Sequence, residues 1–316
     1  MTFNNVLGKQ NRTFYMGVAM IWIIGYHLWL KDMAYYDSDF KIFSHIFKFG
    51  YVGVDIFFFL SAYGLCHSFM SGNIKQFYFK RFVRIVPVFL IYYIIRYLIE
   101  GGDFLQFCYF KLLQLSTLTI FPSICPKEIS SDWFIPAILN LYLVFPIIFK
   151  VVGYIVKRNR LWHLLSVLIA FYGSHYLWGY IDGLYITRIP IVIVGLFTYF
   201  YLKDSNYKNI LLMYTIFAMQ LFFLERHNLM YSAPVPIILL ALSNSGLNIS
   251  RFAIITNIGN MSIEYYFSHV WASAWCKSDS LLVDSLVFFS VTIIFAYILH
   301  YINKTISNRC LNKSSS

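Results

Sequence analysis

Long apolar runs, most of them close to the 20 or so residues needed to cross a hydrocarbon layer, alternate along this chain with short polar clusters. The pattern predicts helices at roughly 13–30, 50–70, 83–99, 132–150, 161–178, 185–202, 208–224, 230–244, 253–275 and 281–301. The eighth is short and begins near Pro234 and Pro236. Lys9 and Arg12 precede the first run. That run is too long for a cleavable signal and lacks a small-residue exit, so it reads as the first spanning helix. No repeat, low-complexity tract or soluble appendage interrupts the series. The expectation is an all-α, polytopic integral membrane protein: a bundle of about ten transmembrane helices forming a single domain over 1–316.

Composition points the same way. Of 316 residues, 59% are hydrophobic, 21% aromatic and only 12% charged, against about 25% charged in soluble chains. The net charge of +11 does not signify nucleic acid, because the basic residues lie in the gaps between apolar runs. Lys75, Lys80, Arg81 and Arg84 fall between the second and third runs, and Lys150, Lys157, Arg158 and Arg160 between the fourth and fifth. Lys304, Arg309 and Lys313 follow the last. With an even number of spans, about 16 basic residues share one side and about 7 the other. The positive-inside rule then places both termini in the cytoplasm, in a cell (inner) membrane. The longest outer segment, roughly 100–131, is close to neutral. Many Trp and Tyr suit interfacial belts.

Cys66, Cys108, Cys125, Cys276 and Cys310 show no metal-ligand spacing and read as small hydrophobes, a pairing among the three outer ones (Cys108, Cys125, Cys276) remaining open. The eight histidines are scattered, so no metal site is expected.

Ionisable residues at membrane depth are costly and point to function. His27, Arg96 and His269 fall near the outer ends of outward-running helices. Asp55 and Arg188 fall near the outer beginnings of inward-running ones, and Glu264 lies deeper. His27 and Asp55 are expected at similar depth. A neutral imidazole accepts a proton from a hydroxyl near neutral pH, and a carboxylate orients its ring. For His269 a packed interhelical hydrogen bond is an equally good reading. The opposite end carries the basic cluster of Lys80, Arg81 and Arg84, suited to phosphate.

At these residues the chain resembles the acyltransferase-3 family of membrane acyltransferases. The segment from Gly17 to His27 is similar to the family's first helix, which ends in an essential histidine. Gly53-Val-Asp-Ile-Phe-Phe-Phe-Leu-Ser-Ala-Tyr-Gly-Leu65 closely matches its second-helix signature, usually written GVDLFFVLSGF. Tyr78 to Pro87 resembles the basic start of the third helix, and Trp133 to Pro146 follows the fourth. Arg188 to Gly195 fits the sixth, and Ser262-Ile-Glu-Tyr-Tyr-Phe-Ser-His269 is similar to the late Ser-Leu-x-x-Tyr-Leu-x-His element.

The resemblance implies transfer of an acyl group, most often acetyl from acetyl-CoA, to a carbohydrate hydroxyl of O-antigen, capsule, exopolysaccharide or a glycolipid. It casts His27 as general base with Asp55 orienting it, and Lys80, Arg81 and Arg84 as ligands for the coenzyme A phosphates. Trp133, Arg188, Glu264 and His269 become acceptor-side residues, with Trp133 stacking on the sugar. No permanently bound cofactor is implied, and the oligomeric state stays open. The chain departs from the family at Met16, where an arginine is usual; Arg12, one turn earlier, lies roughly 22 Å from His27 along an ideal helix. Ile138 and Leu139 replace acidic residues common in relatives, and Ala62 stands where Gly is commoner. A transporter or flippase for a lipid-linked saccharide is the competing reading, but the paired broken helices of such folds are not evident. A polysaccharide polymerase would need a more basic outer loop than 100–131.

Overall fold

The computed structural model describes residues 7–30, 41–125, 133–203, 235–244, 249–273, 275 and 280–313. Its helices are α1 (Lys9–Leu28), α2 (Lys41–Lys48), α3 (Val52–Met70), α4 (Ile74–Glu100), α5 (Phe104–Leu115), α6 (Phe134–Val156), α7 (Arg160–Tyr176), α8 (Gly183–Ile186), α9 (Ile189–Lys203), α10 (Val235–Asn244), α11 (Ala253–Asn260), α12 (Ser262–Ala272) and α13 (Leu281–Lys313). Short 3-10 turns cover Leu118–Ile120 and Ile249–Phe252. The described residues form no strand, only an isolated bridge between Trp178 and Ile181.

Five stretches among the described residues are long and apolar enough to cross a membrane: Val52–Met70, Ile74–Glu100, Phe134–Val156, Gly183–Lys203 and Leu282–Asn308. The described residues thus do not confirm the expected count of about ten. The first helix carries Gln10, Asn11, Arg12 and Thr13 in its opening turns, so its apolar part is shorter than its 20 residues. The expected helix at 253–275 is broken at Met261 (φ −99°, ψ 21°), just after Gly259 and Asn260, both weak helix formers. The expected 208–224 helix and the start of the 230–244 helix lie outside the described residues.

Two boundaries differ in a way that matters for charge. Helix α4 begins at Ile74, where the Asn73 side chain accepts from the Gln76 N–H at 2.8 Å. Lys75, Lys80, Arg81 and Arg84 are therefore helical residues, not loop residues. The expected outer segment 100–131 contains α5, whose first turn is capped by Asp103 accepting from the Gln106 N–H at 2.7 Å.

The chain divides into two compact units. One takes in Phe58–Arg81 and Arg96–Ile238; the other takes in Asn5–Phe57, Phe82–Ile95 and Leu239–Ser316. In the first, α6, α7 and α9 pack around Phe69, Phe77, Phe145 and Phe149, whose rings contact one another in sequence. His163 ties them together: its Nε2 donates to the carbonyls of Ile155 (3.0 Å) and Val156 (3.2 Å), and the Tyr201 hydroxyl donates to its Nδ1. In the second, Phe267 of α12 packs among Phe89, Tyr92 and Tyr93 of α4, and Trp271 meets Phe295 of α13.

Candidate active site

The second unit owes its site to one glycine crossing. A side chain on Gly17 would overlap the carbonyl oxygen of Ile255, and one on Gly259 would overlap that of Thr13. Each glycine thus meets the carbonyl four residues before the other, the signature of two parallel helices in backbone contact. Small residues are what membrane helices need for such an approach. Ten residues beyond each glycine stands a histidine, His27 on α1 and His269 on α12. On α1 the ten residues advance about 15 Å at 1.5 Å per residue, and α12, beyond the break at Met261, carries His269 to the same level. Their ring centroids are 4.8 Å apart, tilted at 51°.

The two imidazoles differ in surroundings. His269 is fully buried. Its Nδ1–H donates to the Tyr265 carbonyl at 3.0 Å, which leaves Nε2 as a lone-pair acceptor; among the described residues that nitrogen has no hydrogen-bond partner. A ring nitrogen held in one tautomer by a backbone carbonyl is a defined proton acceptor. His27 is exposed in the last turn of α1, with Tyr26 against its edge at 5.6 Å. Helix α2 closes over this end of α1. The Trp22 indole N–H donates to the Ile46 carbonyl (2.6 Å), the Trp29 indole N–H donates to the Ser44 hydroxyl (2.9 Å), and the Phe47 ring lies against Gly25.

Asp55 is buried in the first turn of α3. Gly50 abuts Trp22 and Tyr26, while Gly53 abuts Ala19 and Ile23, so α3 descends antiparallel to α1. Two residues past Gly53, the Asp55 backbone lies about 12 Å lower along α1 than that of His27. The expected similar depth gives way to this register along the backbones, and the ring set against that of His27 is His269.

Glu264 faces α13. Its Oε1 accepts from Asn303 Nδ2 at 3.1 Å and contacts His300 Nδ1 at 3.3 Å, and its Oε2 is buried with no partner among the described residues. The Ser307 hydroxyl extends the chain of contacts to Asn303 Oδ1 and to the Val83 carbonyl, both at 3.4 Å. Val83 precedes Arg84, which is exposed. Polar groups therefore recur on α12 and α13 from the level of Arg84 up to Glu264, about 7.5 Å below His269.

The remaining candidates belong to the other unit. Lys80 is exposed. Arg81 is half-buried, its guanidinium 5.0 Å from the Phe77 ring and 5.9 Å from that of Tyr142. Arg188 is buried where α8 gives way to α9, donating from Nη1 to the Leu184 carbonyl (3.0 Å) and the Thr187 hydroxyl (2.9 Å). Its guanidinium sits 5.6 Å over Trp133, which lies parallel to Phe58 at 6.5 Å. A sugar stacking on Trp133 would have to use ring surface that these neighbours leave open. Asp182 holds the approach to Arg188: its side chain accepts from the Tyr185 N–H (2.9 Å), and its own N–H donates to the Ile120 carbonyl (2.6 Å).

Reading the residues singly missed the pairing of His27 with His269. The signal was the repeated spacing, Gly17 to His27 and Gly259 to His269, which matters once the two helices are known to cross at their glycines. Asn303, His300 and Ser307 carried less signal, because they fall at or beyond the end of the run expected to close at 301, where polar residues are ordinary.

The sequence matches the family described as an acyltransferase domain (Acyl_transf_3) over residues 17–302. No curated protein and no solved structure matches the chain.

Proposed function

The chain belongs to the acyltransferase-3 family and is a membrane acyltransferase, and from that premise we propose that it moves an acyl group, in the first instance acetyl from acetyl-CoA, to a hydroxyl of a cell-surface polysaccharide or glycolipid sugar. His27 acts as the general base. It takes the proton of the acceptor hydroxyl as that oxygen attacks the thioester carbonyl. The tetrahedral intermediate then collapses, the carbon–sulfur bond breaks, and the imidazolium returns the proton to the departing thiolate. His269 Nε2 accepts a hydrogen bond from the charged His27 ring and so stabilises it for the life of the intermediate. Asp55, buried beneath the pair, orients or stabilises the base.

Lys80, Arg81 and Arg84 hold the anionic head of the donor from the cytoplasmic side of the inner membrane, where both termini also lie. Arg188 and Trp133 recognise the acceptor, which is O-antigen, capsule, exopolysaccharide or a glycolipid. Glu264 orients polar groups of a substrate through Oε2, the oxygen with no partner among the described residues. The observation that carries the reading is the His27–His269 pair: one ring exposed, the other buried and fixed in one tautomer.

Deleting the gene and following O-acetyl proton signals of the surface glycans tests it. The signals should vanish, return with the wild-type gene, and stay absent with His27→Ala at equal protein level. Intact acetylation in the deletion strain would defeat the reading. Full rescue by His27→Ala would defeat the catalytic assignment alone.

A further inference from the structure

Helix α5 presents an inverted face. At 3.6 residues per turn, Phe104, Cys108, Leu112, Leu105 and Tyr109 fall within an arc of about 140°. Phe104, Leu105, Tyr109 and Leu112 are 58%, 78%, 57% and 66% exposed, and the arc contains no charged side chain. The polar residues point elsewhere. Gln114 is buried on the opposite side and accepts from the Lys111 ammonium at 2.9 Å. Phe107 packs on Tyr97 at 4.9 Å. A soluble surface helix shows the reverse arrangement.

The geometry of the ends says what covers this face. Helix α5 has 12 residues, about 18 Å, too short to cross the hydrocarbon. It follows directly on α4, a spanning helix whose last turn exposes Leu98 and Ile99, so the apolar surface of the span continues onto α5. Between them Gly101 (φ +73°) and Gly102 (φ +118°) adopt backbone that only glycine takes readily, allowing an abrupt turn. Charged groups collect at this turn: Arg96 pairs with Glu100 at 2.8 Å, and Asp103 caps α5. Such a cluster belongs at headgroup level.

We infer that α5 is an in-plane membrane helix, lying at the boundary between headgroups and acyl chains of the leaflet in which α4 ends, with the Phe104–Leu105–Tyr109–Leu112 face in contact with lipid. The helix leads through the turn at Leu118–Ile120 to the Ile120 carbonyl that receives the Asp182 N–H. A lipid-seated helix is thereby coupled to the loop that carries Arg188.

Nitroxide labels on single cysteines at Leu105 and Leu112 test this, using the full chain with its five native cysteines replaced, in phosphatidylcholine–phosphatidylglycerol liposomes. Oxygen should relax both labels several-fold more than a water-soluble nickel chelate does, and a label at Asp103 should show the opposite preference. The two depths should agree. A re-entrant or tilted helix would separate them by up to about 10 Å over seven residues and would overturn the in-plane assignment. Nickel access at Leu105 and Leu112 equal to that at Asp103 would overturn lipid contact. In the otherwise native chain, a photoreactive benzoylphenylalanine at Tyr109 should yield a phospholipid adduct by mass. A crosslink to a second copy of the chain, or no adduct, would also overturn it, independently of how the cysteine replacement behaves.

Discussion

His27 and His269 stand with their rings 4.8 Å apart although 242 positions separate them in sequence. His269 is locked by its bond to the Tyr265 carbonyl, whereas His27 is open to an incoming hydroxyl. Loss of a general base typically costs about 10²–10⁴-fold, so His27→Ala should lower kcat by that factor with the protein still assembled in membranes. His269→Asn keeps a polar side chain in the buried position and should retain more activity than His269→Leu. Rates of acetyl transfer with purified protein, compared at equal amounts of folded chain, check the order. Equal activity of His269→Leu and wild type would remove His269 from the mechanism.

The crossing that sets this pair has no room for a side chain. Gly17→Ala or Gly259→Ala drives a methyl group into a backbone carbonyl, of Ile255 or Thr13 respectively. Carbonyls cannot rotate away as a flexible side chain would. Overpacking typically costs about 1–3 kcal/mol, and the upper end is expected here. Gly173 in α7 has nothing among the described residues within 4 Å of its missing side chain; Gly173→Ala should be neutral or stabilising by up to about 1 kcal/mol. Thermal unfolding in detergent micelles distinguishes them. If Gly17→Ala and Gly173→Ala shift Tm alike, the crossing is looser than described.

Much of this architecture is legible from the chain itself. Apolar runs mark α3, α4, α6 and α13 because the membrane imposes a length that composition can meet. Helix α5 escapes that logic: its apolar residues number too few to span, so the segment reads as a loop. The break at Met261 is hidden because Ile254, Ile255, Ile258 and Ile263 keep the run apolar through it. At the site, His27 and Asp55 stand out as ionisable groups in hydrocarbon, but their relative depth depends on how α3 meets α1 at Gly53, a register no single helix encodes. The Glu264–Asn303 bond likewise needs the antiparallel packing of α12 on α13.

His163 offers a stability test away from the chemistry. One side chain satisfies two carbonyls at the end of α6 and receives the Tyr201 hydroxyl from α9. Leaving a buried polar group unpaired costs about 1–3 kcal/mol. His163→Leu should therefore lower Tm clearly while the specific activity of the protein that remains folded changes little. Tyr201→Phe, which removes only the hydroxyl, should cost less. A Tm for His163→Leu within error of wild type would mean that water replaces the imidazole at no cost.

The basic cluster on α4 makes a prediction with a built-in ranking. Lys80 and Arg84 are exposed and would act on a phosphate as charges in high dielectric, where each contributes little and salt screens it. Arg81 is different, because Phe77 and Tyr142 hold its guanidinium in place. A preorganised fork binds phosphate oxygens without losing much side-chain freedom, and the ring contact is lost when the flat guanidinium is replaced. Arg81→Lys should therefore raise KM for acetyl-CoA more than Lys80→Ala or Arg84→Ala does, with kcat nearly unchanged, as expected when uniform binding is removed. Raising ionic strength should weaken the effect of the two exposed residues first. Steady-state kinetics of coenzyme A release at two salt concentrations reads all three variants. An unchanged KM across the set would place the donor's phosphates elsewhere on the chain.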